Sequence, residues 1–552
     1  MLFGSILAIA QKPLKPANTY KIIYSRSSNG KIIDEENKTT VLVSPNQNRI
    51  TSANILGKSA KFPFEQTLIV KPSNVIFQIA DLKAGQQIST VDSLALKQQQ
   101  FELGTETKVI LGYNCKKAST VVNSNRIDLW YTTEAGITAA PTALGQTLGL
   151  VLEQVRNGNS AITATSLEVL KKTSELNLQD LIAGITDVID YKDLLWKSRF
   201  TTLKVFDNET INFVDKPIST DSVFRFAGGT VIARKISFPD LQNAANVFVD
   251  LTEQSNGDAY DRTGSVFIIP TDQSLSLLDA LKSNVKVLPV YENGNGTTYQ
   301  GVVATENYRP VIELMRFFTP FGVGKYNTLK LKDKTWAEKV YYRQDISELY
   351  PTLNGKEVWV AVFIGNYDKG GHKVSLNITL HNAGREKPLS KKVISLFNST
   401  NVMEMAGQEY GTMFSNDKGL EVSFTLDQDL KDAKLRYTTT GHGGWSGGDE
   451  FVPKENTIWL DGEKTFAFTP WRQDCGSYRL SNPASGNFET GLSSSDLSRS
   501  NWCPGTVTNP NFINFGDLKA GKHTIKVTIP MGKREGSSFS AWNVSGVLIG
   551  TE

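Results

Sequence analysis

Short runs in which apolar and polar residues alternate recur along most of the chain. Clear examples are Ser265–Ile269 and Lys522–Ile529, and similar runs occur at Lys21–Tyr24, Lys108–Leu111 and Ile127–Trp130. A period of two with many β-branched residues, punctuated by glycine and asparagine, is typical of antiparallel strands. The pattern therefore predicts a mainly β protein.

One stretch changes from a period of two to helical spacing. Its apolar residues are Leu178, Leu181, Ile182, Ile185, Val188 and Ile189. This spacing predicts an amphipathic helix that ends near Trp196. Because strand-like runs precede the helix and resume after it, we expect it to connect an α+β N-terminal domain to the strand-rich remainder.

The chain of 552 residues is long enough for roughly two to four domains with adequate cores. Asn382–Pro388 is polar and contains glycine and proline, so it is the best internal boundary. We expect a leader remnant over 1–10, an N-terminal domain over 11–198, and two β domains over 199–384 and 385–552. Each β domain is large enough for a sandwich of strands, and the sequence shows no internal repeat.

The charge of the chain is balanced, with 59 basic and 56 acidic residues and a net charge of +3. Nucleic-acid binding needs a concentrated basic face, which this interspersed pattern does not favour. The sequence contains no run long enough to span a bilayer. We therefore expect a protein that binds no nucleic acid, has no membrane span and is a monomer.

The first residues read as the end of a secretory signal. Leu2–Ala10 is an apolar run, and Ala8-Ile9-Ala10 forms a cleavage site of the small-x-small type before Gln11. No basic residue precedes the run, so the signal does not establish Met1 as the natural start. The alternative is a buried first strand. The signal predicts an exported protein, either secreted or periplasmic.

The region between Gly441 and Gly505 concentrates the candidate chemistry. The glycine-rich loop Gly441–Gly448 leads into Asp449 and Glu450, and the run Arg499–Trp502 follows later. Glycine allows backbone to approach a ligand closely. Carboxylates next to arginine and tryptophan are the components of a rigid polar pocket.

The three cysteines are too few for a disulfide-rich scaffold. Cys475 and Cys503 bracket a segment rich in serine, glycine and asparagine, and a bridge between them would stabilise it by about 3 kcal/mol. Export makes such a bridge plausible. Cys115 is left over, and we expect it to be a small buried apolar residue.

An earlier loop holds a second candidate acid. Glu253–Arg262 leads directly into the strand at Ser265, and in this loop Asp261 is followed at once by Arg262. A neighbouring cation could hold the Asp261 carboxylate ionised. The alternative is a solvated Asx-turn, because loops before strands are rich in aspartate.

These pieces, in this order, resemble the peptide-N-glycosidase F family of bacterial N-glycanases. Tyr260-Asp261-Arg262 matches the family's aromatic-Asp-Arg motif before a strand, and Arg316–Gly324 resembles its Arg-Phe-x-Thr-Pro run. Leu435–Gly441 is similar to the strand that leads into its glycine- and tryptophan-bearing loop. The resemblance covers about Thr201–Gly550, and the ordered set is specific although each motif is short.

The third block supplies the remaining matches. Glu450 lies eight residues before Ile458, the place of the family's active-site glutamate. Arg499 lies four residues before Cys503, where the family has an arginine, and Cys475 and Cys503 resemble one of the family's disulfides.

The resemblance implies a fold and an activity. The fold would be two adjacent eight-stranded antiparallel jelly rolls with the active site between them, after an N-terminal bowl-like domain found in longer relatives. The activity would be hydrolysis of the amide between asparagine and N-acetylglucosamine, without a metal or other cofactor, on an N-glycoprotein or glycopeptide. Asp261 and Glu450 would be catalytic; which of the two acts as base and which as acid stays open.

The substrate-binding residues that the resemblance implies lie around these two acids. They are Tyr260, Arg262, Arg499, His442, Trp445, Trp502 and Phe363. For His442 an ordinary loop role is an equal alternative, and for the tryptophans the alternative is core packing.

The chain departs from the family at two positions of one strand. Phe363 stands where the family has a second glutamate, and Gly365 stands where it has tryptophan. Loss of the acid would remove hydrogen bonds to sugar, and loss of tryptophan would open space. The sequence therefore suggests tolerance of a core α1,3-fucose on the innermost sugar.

Other classes of protein fit less well. Copper monooxygenases share a two-jelly-roll architecture but need clusters of histidine and methionine, and this chain has only four histidines and no His-x-His. A glycosidase would cleave a different bond. The stronger rival is a non-catalytic lectin or adhesin, because fold alone does not fix function.

Overall fold

The computed structural model describes most of the chain. The described residues are 14–15, 18–170, 184–240, 246–326, 330–381, 391–399, 402, 410–443, 447–483, 494–532 and 540–552. The expected leader at 1–10, the boundary at Asn382–Pro388 and the residues Trp445, Leu178, Leu181 and Ile182 lie outside them. The chain divides into two compact units, Met1–Phe200 and Thr201–Glu552.

The N-terminal unit is built on one twelve-stranded antiparallel sheet. Its strands are β1 Tyr20–Ser28, β2 Lys31–Ile32, β3 Thr39–Val43, β4 Gln47–Ser52, β5 Phe64–Val70, β6 Val75–Lys83, β7 Gln86–Asp92, β8 Glu102–Ile110, β9 Tyr113–Val122, β10 Asn125–Thr132, β11 Leu150–Arg156 and β12 Ser160–Val169. The sheet order is β7-β6-β5-β4-β3-β1-β12-β11-β10-β9-β8, and β2 pairs with β1. The expected alternating runs at Lys21, Lys108 and Ile127 all lie in strands of this sheet.

Helix contributes little to the described part of this unit. The helices are α1 Ala53–Leu56 and α2 Val188–Lys197. The predicted helix ends where expected, but Ile185 is not part of it, because Ile185 forms a bridge with Ser89 and Asp187 caps the first turn. Cys115 is fully buried in the core of the unit as a free thiol, which confirms its predicted role.

The C-terminal unit contains two β sandwiches, which confirms the predicted fold class. The strands of the first are β13 Thr201–Ile211, β14 Phe224–Phe226, β15 Val231–Ser237, β16 Asn246–Ser255, β17 Thr263–Ile269, β18 Val290–Glu292, β19 Thr298–Gln300, β20 Ile312–Phe318, β21 Val340–Asp345, β22 Glu357–Ile364 and β23 His372–His381. Those of the second are β24 Lys391–Asn398, β25 Leu420–Leu426, β26 Leu430–His442, β27 Asn456–Leu460, β28 Glu463–Phe468, β29 Val507–Thr508, β30 Asn511–Leu518, β31 Gly521–Thr528 and β32 Ala541–Thr551.

The helices in the described residues of this unit are short. The α-helices are α3 Leu277–Lys282 and α4 Val323–Tyr326, and the 3₁₀ turns are Ala227–Gly229, Val285–Val287, Ser347–Thr352, Tyr410–Thr412, Cys475–Ser481 and Ser494–Asp496. No helix in the described ranges combines the length and the apolar character needed to cross a bilayer.

Each sandwich packs two sheets around its own apolar core. The first pairs the sheet β13-β23-β16-β21 with the sheet β14-β15-β22-β17-β20-β29, and the second pairs β24-β32-β26-β30 with β25-β31-β27-β28. In β23, buried and partly buried residues alternate along the whole strand, as expected for a strand with one face on the core. The first sandwich differs from the expected eight strands, because its larger sheet has six and takes β29 from the second sandwich at its edge.

A buried ionic network joins the two sandwiches. Arg316 on β20 pairs with Glu313 through Nη2 at 2.8 Å and donates to the Asn543 carbonyl on β32 at 2.6 Å. Ser545 on β32 donates to the Glu313 carboxylate at 2.6 Å. Arg436 on β26 donates to the Glu313 carbonyl at 2.8 Å and to Glu348 at 2.6 Å. Because buried charges are costly unless paired, these contacts fix how the two sandwiches meet.

Candidate active site

The loop between β16 and β17 carries Asp261 and is held tightly on both sides. The Arg262 backbone N–H donates to the Thr319 hydroxyl at 2.8 Å, and the Thr319 N–H donates back to the Arg262 carbonyl at 2.9 Å. A side chain at Gly322 would come within 2.4 Å of the Asp258 carbonyl oxygen, so only glycine permits this approach. The backbone around Asp261 is therefore fixed from two directions.

Beneath this loop lies a buried chain of charged groups. His372, the first residue of β23, contacts Glu253 through Nδ1 at 2.8 Å and Asp258 through Nε2 at 3.2 Å. Asp258 accepts two hydrogen bonds from Arg262, at 2.6 Å from Nε and 3.1 Å from Nη2. His372 and Glu253 are fully buried, and Asp258 is nearly so. Arg262 is thus committed to Asp258 rather than to Asp261.

The pKa values of these buried charged groups follow from how the groups are paired. Burial lowers the pKa of His372, but hydrogen bonds to Asp258 and Glu253 outweigh burial and raise it to about 9. Burial raises the pKa of Asp258, but hydrogen bonds from His372 and Arg262 hold it well below its usual range. At neutral pH His372 is therefore protonated, and its contacts with Glu253 and Asp258 stabilise the lower part of the Asp261 loop.

The second acid, Glu450, is positioned by its neighbour Asp449. The Asp449 carboxylate is fully buried and accepts from Trp542 Nε1 at 2.8 Å and from the Gly532 N–H at 2.9 Å. A side chain at Gly441 would come within 2.9 Å of the Asp449 carbonyl oxygen, so glycine is needed where β26 passes this segment. Asp449 is anchored to the second sandwich, which leaves Glu450 to project from a fixed backbone.

Arg499 brings the two acids together. Its Nη1 lies 3.3 Å from Asp261 Oδ2 and forms a close ion pair with Glu450 Oε1. Nη2 donates to the Ser494 carbonyl at 2.7 Å. Asp261 and Glu450 come from different sandwiches and are 189 positions apart (450 − 261). They therefore share a single buried guanidinium.

The acid pair has an unusual proton balance. Burial raises the pKa of Glu450 to about 7, and the Asp261 charge adds to this while Arg499 opposes it. Burial also raises the pKa of Asp261 above its ordinary value, against the pull of Arg499 and Arg262. A pair of carboxylates with only one shared cation holds a proton near neutrality more readily than isolated acids do. The site can therefore both accept and supply a proton.

Aromatic rings support Arg499 from behind. The guanidinium lies over the Trp502 ring at 4.2 Å and the Phe451 ring at 5.0 Å. Trp502 stacks on Phe318 at 4.3 Å and donates from Nε1 to the Gly441 carbonyl at 3.0 Å. Cation–π contacts of this kind favour the charged guanidinium in a desolvated site. Trp502 is 4% exposed, so it acts here as a support for Arg499 and not as an open sugar platform.

His442 ends β26 beside the same aromatic group. Its ring lies 5.8 Å from Phe318 and 5.4 Å from Trp502, and Nε2 bonds the Thr440 hydroxyl at 2.8 Å. Burial, together with the charges of Arg316 and Arg499, lowers the pKa of His442 to about 3. The ring is therefore neutral at neutral pH.

A disulfide stabilises the segment that carries Arg499. Cys475 and Cys503 are bonded, with Cα atoms 5.1 Å apart, which confirms the predicted bridge. The Arg499 backbone also exchanges hydrogen bonds with Arg472, at 3.0 Å and 2.9 Å. The position of Arg499 is thus fixed by both covalent and backbone contacts.

The remaining predicted residues fall into different environments. Tyr260 is 53% exposed beside Asp261, and its ring lies 5.3 Å from the Arg262 guanidinium. The expectation that Phe363 binds substrate is wrong. Its side chain is 2% exposed and packs in a hydrophobic cluster with Phe267 and Leu277, where it cannot contact a sugar. Trp445 lies outside the described residues.

The sequence reasoning did not identify the contacts that position the site. His372 was not predicted to contribute to it, and Glu253, Asp258 and Asp449 were noted only as members of the two candidate loops, without the partners that the fold gives them. A lone histidine that follows two glycines carries no pattern of its own, so only the fold reveals its partners. In the part of the chain that the structure describes, no three histidine, cysteine or acidic side chains cluster as a metal site would require.

Comparisons with known proteins cover both units. The family profile "Peptide-N-glycosidase F, N terminal" matches residues 202–380, "Peptide-N-glycosidase F, C terminal" matches 409–549, and "N-glycanase peptide, N-terminal domain" matches 22–193. A search of curated proteins found no match.

Solved structures match over nearly the whole chain. Two crystal forms of PNGF-II share 54% identity with this chain; one covers 97% of this chain and 98% of its own with a TM-score of 0.84, and the other covers 97% and 100% with 0.86. PNGase F of Flavobacterium meningosepticum, described as a glycosylasparaginase, is 16% identical, covers 64% of this chain and 96% of its own, and has a TM-score of 0.42.

Proposed function

We propose an activity for this chain on the basis of its family, because the chain belongs to the peptide-N-glycosidase F family. The family is one of N-glycan amidases. We infer that this chain hydrolyses the amide between an asparagine side chain and the innermost N-acetylglucosamine of an N-glycoprotein or glycopeptide. The whole glycan leaves, and aspartate remains on the peptide.

The observation that carries the proposal is the shared guanidinium. Arg499 Nη1 contacts both Asp261, at 3.3 Å, and Glu450. Amide hydrolysis needs a positioned water, a stabilised oxyanion and a proton for the leaving nitrogen. Two acids with raised pKa values and one fixed cation supply groups for all three needs.

We assign the roles by the place of each group. Asp261 is the primary catalytic carboxylate and contacts the first sugar and the reacting amide. Glu450 positions and polarises the water near the carbonyl, and Arg499 provides fixed positive charge. Because Arg499 is 1% exposed and held by the Ser494 carbonyl and Trp502, it needs no reorganisation as charge develops.

The reaction balances with water alone. The water oxygen bonds to the side-chain carbonyl carbon, the bond from that carbon to nitrogen breaks, and the nitrogen takes a proton. The products are aspartate on the peptide and a glycosylamine, which then loses ammonia in water. Glu450, with a pKa of about 7, is suited to exchange the proton near neutrality.

We further propose that the site tolerates a core α1,3-fucose. Phe363 does not support this tolerance of fucose, because its side chain is buried in a core cluster. Support comes from Gly365, which directly follows β22 and whose backbone N–H donates to the Thr263 carbonyl at 3.0 Å. Thr263 lies two residues after Asp261. Glycine leaves space beside the catalytic loop that a larger side chain would fill.

A substitution at Gly365 tests the fucose proposal. Gly365→Trp should slow cleavage of core α1,3-fucosylated glycopeptides much more than that of plain ones, and Gly365→Ala serves as the small control. Equal slowing of both substrates would contradict the proposal. So would failure of the wild-type protein to cleave the fucosylated substrate.

Asp261→Asn separates the amidase from the lectin or adhesin alternative. An amidase variant should lose glycan release and retain glycopeptide binding, since the amide is nearly isosteric with the acid. Wild-type protein that binds glycopeptide but releases no glycan would favour the lectin. Released glycan with asparagine converted to aspartate would exclude a lectin or a glycosidase as the main activity.

We also propose that the protein works outside a reducing cytosol. The disulfide between Cys475 and Cys503 supports this, because structural disulfides persist mainly in oxidising compartments. Fractionation of the native host, with the disulfide probed by thiol labelling, tests the location. Recovery of the protein only in the cytosol, with reduced cysteines, would contradict it.

A further inference from the structure

The N-terminal unit contains a cavity of about 610 Å³, here called the N-terminal pocket. Residues from β1, β3, β4, α1, β5, β6 and α2 line it, so its walls come from several fixed elements. The volume lies within the range of roughly 300–1,000 Å³ that is typical of small-ligand sites. None of the residues used to explain the amidase belongs to this unit.

Two residues that line the pocket carry buried hydroxyls without a partner among the described residues. Tyr191 is 2% exposed and Thr51 is 6% exposed, and both line the pocket. Among the described residues, neither the Tyr191 Oη nor the Thr51 Oγ1 has a hydrogen-bond partner. Buried hydroxyls are nearly always paired, and an unpaired one costs free energy. The pocket therefore offers polar groups that the fold itself does not satisfy.

The two hydroxyls are rigidly placed. Tyr191 belongs to α2, and its ring packs in a cluster with Leu82 and Ile88. Thr51 is in β4, where it pairs with Thr40 of β3. Burial raises the pKa of Tyr191 to about 12, so its hydroxyl stays neutral and can donate as well as accept. Groups that are fixed before binding lose little entropy when a ligand arrives.

The rest of the interior lining combines uncharged polar groups with one aromatic face and the small apolar set Ile50, Ile55, Ala60 and Pro63. Side-chain amides come from Asn37, Asn54, Gln66 and Gln78, and further hydroxyls come from Thr39, Ser52, Ser59 and Thr67. Gln66 is oriented by Arg49, whose Nε donates to it at 2.7 Å. Phe64 lines the pocket and stacks on the half-exposed Phe62 with 4.7 Å between ring centroids.

The charged groups lie at the edge. Arg26, Lys61 and Glu65 are exposed, and Glu65 is paired with Arg199 at 3.1 Å. A ligand with many hydroxyls and an apolar ring face matches this arrangement, because amides and hydroxyls bond the former and an aromatic ring packs on the latter. A ligand with a buried charge would find no opposite charge inside.

We propose that the N-terminal pocket is an accessory carbohydrate site that holds a neutral sugar ring of an oligosaccharide. The Tyr191 and Thr51 hydroxyls bond sugar hydroxyls, and Phe64 packs against the apolar face of the ring. The site is separate from the amidase chemistry, so either assignment can fail without the other.

Binding of free oligosaccharides to the full-length Asp261→Asn protein tests the proposal. Probes are a neutral N-glycan oligosaccharide and its sialylated counterpart, measured by titration calorimetry. Tyr191→Phe removes only the unpaired hydroxyl and should weaken neutral binding roughly fivefold to tenfold, the value of one hydrogen bond. Thr51→Val, of nearly equal size, is the second variant and should do the same.

Tyr113→Phe is the matched control. Its hydroxyl is also buried without a partner among the described residues, but Tyr113 does not line the pocket. Neutral binding weakened by Tyr191→Phe and unchanged by Tyr113→Phe supports the site. Binding that Tyr191→Phe and Thr51→Val leave intact, no measurable binding, or preference for the sialylated probe would each overturn it. The same substitutions are also made in a chain that keeps Asp261. Glycopeptide cleavage by these variants shows whether the amidase is intact.

Discussion

Replacing His372 with glutamine should destabilise the unit that carries the proposed active site. His372 lies between Glu253, at 2.8 Å, and Asp258, at 3.2 Å, and all three are buried. Glutamine is neutral and can donate to only one carboxylate well. The variant therefore leaves buried negative charge without compensation.

The magnitude follows from two independent routes. A folded-state pKa of about 9 against an ordinary value of 6.5 corresponds to about 3 kcal/mol of stability. Breaking a buried ion pair by removing one partner costs roughly 3–5 kcal/mol. Since the two routes agree, we expect a loss of about 3 kcal/mol, or a fall in Tm of roughly 5–10 °C.

The pH dependence has a definite sign. A raised folded-state pKa means that the stabilisation is fully present below 6.5 and is lost as the pH rises through about 9. The other groups beside this network are Arg262, which donates to Asp258, and Tyr342, whose pKa burial raises well above its usual value. The wild-type advantage over His372→Gln should therefore be large at about pH 6 and small at about pH 10.

Thermal unfolding at both pH values measures this directly. His381→Gln is the control, because His381 ends the same strand, β23, and is only partly buried. The control should change Tm by little at either pH. A His372→Gln variant that melts within about 1 °C of wild type at pH 6 would refute the reasoning. A Tm difference between the two proteins that is the same at pH 6 and at pH 10 would also refute it.

The remaining predictions concern the acid pair, its cation and the disulfide. Glu450→Gln should lose glycan release yet gain up to about 3 kcal/mol of stability above pH 7, because a carboxyl with a pKa raised to about 7 destabilises the fold as the pH rises from 4.5. Denaturation of both proteins at about pH 4 and pH 8 measures this gain. The same difference in unfolding free energy at both pH values would contradict it. Arg499→Lys should lower kcat/KM by roughly 10²–10³, because an ammonium is a poor substitute for a guanidinium that contacts both acids; release rates within about threefold of wild type would count against the assigned role. Cys475→Ser should cost about 3–4 kcal/mol for a loop of 28 residues, and reductant should lower the Tm of wild type but not of the variant.

Sequence patterns that depend on local spacing predicted the structure well. The run Lys522–Ile529 falls mainly in β31, where alternation reflects a strand with one face on the core, and Ser265–Ile269 falls in β17, whose continuous apolar residues reflect burial on both faces. The bridge between Cys475 and Cys503 follows from the need to hold a segment with little strand character. Both features are set by residues near each other in the chain.

Features that depend on distant partners were not predictable from spacing. His372 lies 119 residues from Glu253 and 114 from Asp258, and no local pattern records that they meet. Phe363 was expected at the site, but both faces of β22 are buried here, with Val362 in the main core of the first sandwich and Phe363 in a second apolar cluster with Phe267. Asp261 and Glu450 could be paired in advance only through the family resemblance, which supplied the topology.

The most direct test of the amidase proposal is the mass of the peptide product. A defined glycopeptide is incubated with wild-type protein in water enriched in heavy oxygen, with Asp261→Asn as the inactive control. Hydrolysis of the amide predicts release of the intact glycan and a peptide in which asparagine has become aspartate with one heavy oxygen atom. A peptide that keeps its asparagine, with or without N-acetylglucosamine, would contradict the proposal.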